Sequence, residues 1–189
     1  MTAMQSLPPQ PDSFRKVRAR PGVALAGFLV VCYAVAGFGA VFTVSEIPSW
    51  YAALAKPAFN PPNALFGPVW TVLYGLMAVA AWLVWRTPGE ASALVRSTAS
   101  ASRPRLPART VALVLFAVQL VLNALWTPVF FRLHLLLPAL EIIIALWIAI
   151  LLTAIRFWRL NRLAALLLLP YLAWVAFATA LNYEIYRLN

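Results

Sequence analysis

The sequence predicts an all-α integral membrane protein, a five-transmembrane-helix bundle. Three observations carry that prediction. Of 189 residues, 63% are hydrophobic and 11% charged, and the mean hydropathy is +0.84, whereas a soluble domain carries about a quarter charged residues and just under half apolar ones. The apolar residues fall in five long runs, and a membrane crossing needs about 20 such residues. The basic residues gather in alternate connections between those runs. Together these exclude a water-soluble globular fold, and a disordered chain would need a polar, charge-rich composition. Membrane β-barrel strands would alternate over short segments, whereas these runs are solid and Leu/Ala-rich.

Taken in order, residues 1–21 are Pro-rich and basic and read as a disordered N-terminal extension. Residues 22–189 then form one membrane domain. The first run, 21–45, carries no charge and gives a helix at about 22–44. A basic stretch before an apolar run mimics a cleaved signal peptide, but this run is long enough to span and is retained as a helix. Its Cys32 is the single cysteine, so no intramolecular disulfide framework is available.

Residues 45–63 form a loop that is apolar and punctuated by proline. Ser49 is placed to cap a short helical turn, with Trp50 and Leu54 one turn apart on one face. Pro57, Pro61 and Pro62 stiffen the return to the membrane. A solvated linker would not keep Trp, Tyr, Leu and Phe. The segment reads either as an interfacial stretch held by its aromatic belt or as a lid over a cavity, and the lid is preferred.

The second run gives a helix at about 64–85, followed by a flexible basic loop at 86–109. Helices at about 110–131, 133–155 and 163–183 complete the set. His134 sits at a helix end, where an interfacial role outweighs metal ligation. Glu141 is the one acid within a span. With no second ionisable group deep in another helix, a proton relay is disfavoured; a buried carboxyl hydrogen-bonded to a neighbouring helix is expected. Pro128, Pro138 and Pro170 are each expected to free a carbonyl one turn back and to kink their helices.

The net charge of +10 is a matter of topology. Of the 15 Lys and Arg residues, only Lys56, Arg132 and Arg187 lie in the first and third connections and the C-terminus. The other twelve lie before the first span, in 86–109, or between the fourth and fifth spans. The positive-inside rule then puts the N-terminus in the cytoplasm and the C-terminus outside. Nucleic acid is not an expected partner, because these arginines have no folded domain of their own; anionic lipid heads are. A bacterial inner membrane fits the basic loops best, with an outer membrane as the alternative.

Three polar and aromatic stripes run through the spans. Trp70, Tyr74 and Met77 follow one face of the second span. Gln119, Asn123 and Thr127 recur at every fourth residue of the third, with Trp126 beside them. Tyr171, Trp174, Ala178 and Asn182 share a face of the fifth. Polar groups inside a bilayer are costly and face other helices or a cavity. Spacing alone leaves two readings open: an aromatic ligand pocket, or a hydrogen-bonded core in which Gln119 and Asn123 tie helices together.

A wider pattern goes beyond spacing. Trp50-Tyr51, Lys56-Pro57 with Phe59 and Pro61-Pro62, and Phe66-Gly67-Pro68-Val69-Trp70 with Leu73-Tyr74 come first. Gln119-Leu120, Leu122-Asn123, Trp126, Phe130-Phe131, Glu141, Pro170-Tyr171, Trp174, Ala176-Phe177-Ala178 and Leu181-Asn182 follow in order. From about residue 24 to the end, the sequence resembles the TspO/translocator-protein family, the tryptophan-rich sensory or peripheral benzodiazepine-receptor proteins. The basic extension and the 86–109 loop depart from that pattern.

The resemblance implies a five-helix homodimer that binds tetrapyrroles such as protoporphyrin IX or haem, and in some members sterols and benzodiazepine-type drugs. Carried over residue by residue, the pocket comprises Tyr51, Trp70, Tyr74, Asn123, Trp126, Tyr171, Trp174 and Ala178. Lys56 on the loop is placed to pair a propionate. Leu181, Tyr183 and Arg187 fit a proposed sterol motif, a pattern that also matches by chance. Three roles stay open: receptor-type sequestration or sensing, passive transport, and light- and oxygen-dependent porphyrin degradation. The sequence offers no Ser-His-Asp set, metal ligands or paired carboxylates. No catalytic residue is assigned, and any degradation would run through Trp70 or Trp174.

The charge bias generates a prediction. A reporter fused after Asn189 should be exported, and one within residues 86–109 should stay cytoplasmic; opposite labelling would overturn the N-in arrangement.

Overall fold

In the computed structural model, which describes residues 20–87 and 107–189, five long helices form the bundle. They are α1 (Pro21–Thr43), α2 (Phe66–Arg86), α3 (Ala108–Thr127), α4 (Leu136–Leu160) and α5 (Arg162–Leu188). Each is long and apolar enough to cross a membrane. The N-terminal extension and most of the 86–109 loop lie outside the described residues.

Helix is what hydrocarbon dictates. With no water to bond, every backbone N–H and C=O must be paired inside the segment. Local chemistry sets the ends. Pro21 starts α1, where its missing N–H costs nothing. The Asn161 side chain accepts from Ala164 N at 3.0 Å, capping α5 and allowing a one-residue turn out of α4. Between α3 and α4, Pro128–Arg132 winds as a π-turn, and His134 then takes φ 57°, in the left-handed region, to reverse the chain.

Helix α1 packs on α2 and α3, α2 on α5, α5 on α4, and α4 on α3. The ring therefore runs α1–α2–α5–α4–α3. Small residues allow close approach. A Cβ on Gly39 would stand 3.3 Å from Thr127 Oγ1, and one on Gly75 would stand 3.1 Å from the Tyr33 hydroxyl. Ala78, Ala80 and Ala81 of α2 are fully buried. Outside, the bundle presents Val, Leu and Ile to the lipid.

Several expectations need correction. Glu141 is exposed and makes no hydrogen bond among the described residues. Because α4 starts at Leu136 rather than 133, Glu141 lies near its first turns and turns away from the buried Leu140 and Ile143. Pro138 falls in the first turn of α4, where no intrahelical bond is lost. Ser49 does not cap the one-turn helix Trp50–Ala53; its hydroxyl donates back to Ser45 O at 2.9 Å. Helices α4 and α5 run on past the expected ends at 155 and 183, through Arg156 and Arg159 and through Arg187, whereas α3 ends at Thr127 because the chain passes into the π-turn and the reversal at His134.

Packing at α2 generates a prediction. Ala81→Leu should cost about 1–3 kcal/mol by overpacking, whereas Val72→Leu, at a position 60% exposed, should change little. Thermal unfolding in detergent checks both.

Candidate functional site: an aromatic cavity under a clasped loop

One cavity of about 430 Å³ occupies the end of the bundle nearest the 45–63 loop, within the range of pockets that hold drug-sized ligands. Its walls come from α1, α2, α3, α5, the π-turn and the loop.

Helix α2 supplies Trp70 and Tyr74, one turn apart with ring centroids at 5.6 Å. Helix α3 supplies Asn123, Trp126 and Thr127, and α5 supplies Trp174, Ala178 and Asn182. From the loop, Ile47 and Tyr51 close the end. Of the residues predicted for the pocket, Tyr51, Trp70, Tyr74, Asn123, Trp126, Trp174 and Ala178 all line it. Tyr171 does not: it is wholly buried behind the wall, where its ring meets Trp70 edge-on at 6.1 Å.

Tyr171 belongs instead to a directional chain of hydrogen bonds. The Tyr74 hydroxyl donates to Asn123 Oδ1 at 2.7 Å, and Asn123 Nδ2 donates to the Tyr171 hydroxyl at 2.8 Å. Tyr171 in turn donates to Gln119 Oε1 at 3.0 Å. Three helices are thereby pinned at one level. Farther along, Trp126 Nε1 donates to Asn182 Oδ1 at 3.0 Å. The two alternatives left open by spacing are thus both present: the stripes build a polar core and also a cavity wall.

Two buried donors have no partner among the described residues, Gln119 Nε2 and Trp174 Nε1. Trp174 packs against Phe66 at 5.9 Å and Phe177 at 5.6 Å.

The loop is fastened to the bundle at two places and braced within itself at a third. Ala55 N donates to Asn189 Oδ1 at 3.0 Å, and Asn189 Nδ2 returns to Ala55 O at 3.1 Å. His134 Nε2 meets Glu46 Oε2 at 3.2 Å, and the His134 ring stacks on Trp50 at 4.1 Å. Tyr51 donates to Asn60 Oδ1 at 2.8 Å, and burial pushes its phenol up to about 12.

Lys56 does not reach the cavity. Its Nζ donates to the carbonyls of Ala52 and Leu54, both at 3.0 Å, and lies 5.0 Å over the Tyr51 ring. The lysine finishes the one-turn helix. Leu181 lines the cavity, whereas Tyr183 and Arg187, one turn apart on α5, are exposed, with Arg187 pairing with Glu184 at 2.8 Å.

Sequence reasoning missed Phe66, Phe130, Phe131 and the small residues Ala36, Gly37, Gly39 and Ala40 of α1. Phe130 and Phe131 are both buried although adjacent, because the wider π-turn brings both inward. The α1 residues are small and carry no aromatic signal, but Ala36, Gly39, Ala40 and Thr43 recur at helical spacing, a pattern that could have marked this face.

Residues 28–187 match the TspO/MBR family. The chain belongs to that family. A "Tryptophan-rich protein TspO" from Archaeoglobus fulgidus is 39% identical over 165 residues, covering 87% of this chain and 96% of that protein. "Protein CrtK" from Rhodobacter capsulatus is 35% identical over 164 residues, 87% of this chain and 91% of its own. The human "Translocator protein" is 36% identical over 171 residues, 90% and 93%. As a TspO/MBR protein with five apolar helices, it is an integral, multi-pass membrane protein. Its basic extension precedes the matched region.

The hydrogen-bond chain generates a prediction for this TspO/MBR protein. Asn123→Leu keeps the branched shape but strips Tyr74 of its acceptor and Tyr171 of its donor, costing about 1–3 kcal/mol. A double-mutant cycle with Tyr171→Phe should show strong coupling; additive losses would mean the chain does not act as a unit.

Proposed function

We propose that this protein is a membrane receptor of the sensor type that binds a tetrapyrrole, protoporphyrin IX or a haem-like ring, in the cavity beneath the loop. The observation that carries this reading is the convergence of Trp70, Tyr74, Trp126 and Trp174, from three helices, on one space. Indole and phenol rings stack on or edge against a flat macrocycle, each pair adding about 0.5–1.5 kcal/mol beyond burial. The fastened loop then keeps water off the ring. In the membrane, we place the N-terminus and the basic loops on the cytoplasmic side, following the charge bias.

A specific observation favours a second ligand class. No Lys, Arg, Asp or Glu is among the residues lining the cavity. A tetrapyrrole's propionates would therefore lie at the rim, whereas an uncharged sterol-like or benzodiazepine-type molecule fits entirely within. The walls hold no acid–base pair or nucleophile beside a base, so binding is the reading the chemistry supports.

The test is a titration of reconstituted protein with protoporphyrin IX and, separately, a sterol, following tryptophan fluorescence. Trp70→Ala or Trp174→Ala should lose about 1–3 kcal/mol, roughly tenfold to a hundredfold in affinity. Phe at either site should bind nearly as well as the parent. Folded Ala variants with unchanged affinity would remove the pocket assignment. Should light convert the porphyrin to a new product, and Phe abolish that while sparing binding, the protein is an oxidative enzyme and the binding role is secondary.

A further inference from the structure

We propose that the seam between α1 and α2 is a door opening sideways into the lipid, through which an apolar, membrane-dissolved ligand reaches the cavity. The inference rests on reading the cavity as a ligand site, and it adds the ligand's source and route.

The exposed residues among those lining the cavity are Gly37, Ala40, Val44, Asn63, Gly67 and Thr71. All belong to the second half of α1, its end, the last residue of the 45–63 loop, and the start of α2. Every lining residue from α3, α5, the π-turn and the rest of the loop is buried or half-buried. The opening therefore lies along one edge, the α1–α2 seam. Gly37 and Gly67 bring no side chain to either lip, and nothing stands within 4 Å of a Cβ built on either.

The same two helices are tied below the opening. Trp82 Nε1 donates to Pro21 O at 2.8 Å, and the Tyr33 hydroxyl donates to Thr71 O at 3.2 Å. Beyond Ala36, no hydrogen bond joins α1 to α2 among the described residues. Helix α1 is lightly held: of its 23 residues only Cys32 is buried. The Tyr33 bond, made to Thr71, marks the inner end of the opening, and a helix pinned up to that point and free beyond it can swing about its pins.

The rim suits a lipid-borne ligand. Thr43 donates to Gly39 O and Thr71 to Gly67 O, both at 2.9 Å, so each hydroxyl spends its proton on its own helix. The side facing water is closed by contrast, through Asn189 to Ala55, His134 to Glu46, and Trp50 stacked on His134. An apolar molecule dissolved in the membrane meets an open apolar slot, and one arriving from water meets a fastened loop.

The test uses a thiol reporter and no porphyrin. Ala178→Cys puts a thiol on the cavity wall, with the parent chain, whose Cys32 is fully buried, as background. In vesicles, a methanethiosulfonate on a hydrocarbon chain should label it about tenfold or more faster than a charged methanethiosulfonate added from water, each rate taken relative to the reagent's rate with a free thiol. Adding Gly37→Leu and Gly67→Leu should slow the apolar reagent, and leucine favours helix over glycine. Asn189→Ala, which removes the loop's bonds to the end of α5, should leave that rate unchanged. The door is overturned if the charged reagent labels as fast, if neither reagent labels, or if Asn189→Ala accelerates labelling while the leucine pair does nothing. Protoporphyrin failing to bind would remove the proposed ligand and leave these rates as they are.

Discussion

The bundle depends on one constraint, that a polar side chain in hydrocarbon must find its partner in another helix. Tyr74, Asn123, Tyr171 and Gln119 satisfy it in a chain that runs from α2 through α3 to α5 and back. Apolar packing cannot select a register here, since lipid tails are as apolar as leucine. Directional bonds between 2.7 and 3.0 Å do select one. Once they are made, the turns above them bring Trp70, Trp126 and Trp174 to face a common space. The cavity is therefore a consequence of where the polar atoms pair, with the aromatic rings too bulky to close over the gap left beside them.

The loop end is built on different physics. Trp126, Phe130, Phe131 and Trp50 pack edge-to-face and stacked, with centroids from 4.9 to 6.5 Å. That cluster gives the 45–63 segment an apolar bed. Asn189, Glu46 and His134 then fix its position with bonds at the protein–water boundary. Such bonds compete with water and are individually weak, so the loop's seat rests mainly on the aromatic bed. This also explains why Lys56 turns back onto Ala52 and Leu54: the one-turn helix ends in open carbonyls, and the ammonium satisfies them.

The fold class was legible in the sequence because hydrocarbon imposes length and apolarity directly on each span. So were the three stripes, since a period near 3.6 is enough to align Trp70 with Tyr74 or Asn123 with Thr127. Spacing could not tell wall from core within a stripe. Tyr171 and Trp174 share a face of α5, yet a difference in depth puts one behind the wall and the other on it. Glu141 misled for a related reason: its depth and facing depend on where α4 begins, and apolar residues on both sides of Leu136 hide that boundary. Phe130 and Phe131 were quoted in the family pattern but not assigned to the cavity, because a π-turn has no signature in residue types alone.

Helix α1 follows from the same constraint by its absence. Apart from the rim hydroxyl of Thr43 and the Tyr33 hydroxyl, it offers the bundle no strongly polar side chain, so by side chain only the Tyr33 bond holds its rotation, against the two helices that Asn123 joins to α3. Its residues are apolar on every face, and exposing any of them to lipid costs almost nothing. In water the same helix would be driven into the core by area burial; in a bilayer that force vanishes, and only contact packing and the bonds at Tyr33 and Trp82 remain. Glycine and alanine along its inner face reduce the contact further, since they bring few atoms to the seam. A helix that is apolar all round, small on one side and bonded along half its length is therefore the part of this bundle that moves at least cost. The cavity wall that includes it is the wall that can open.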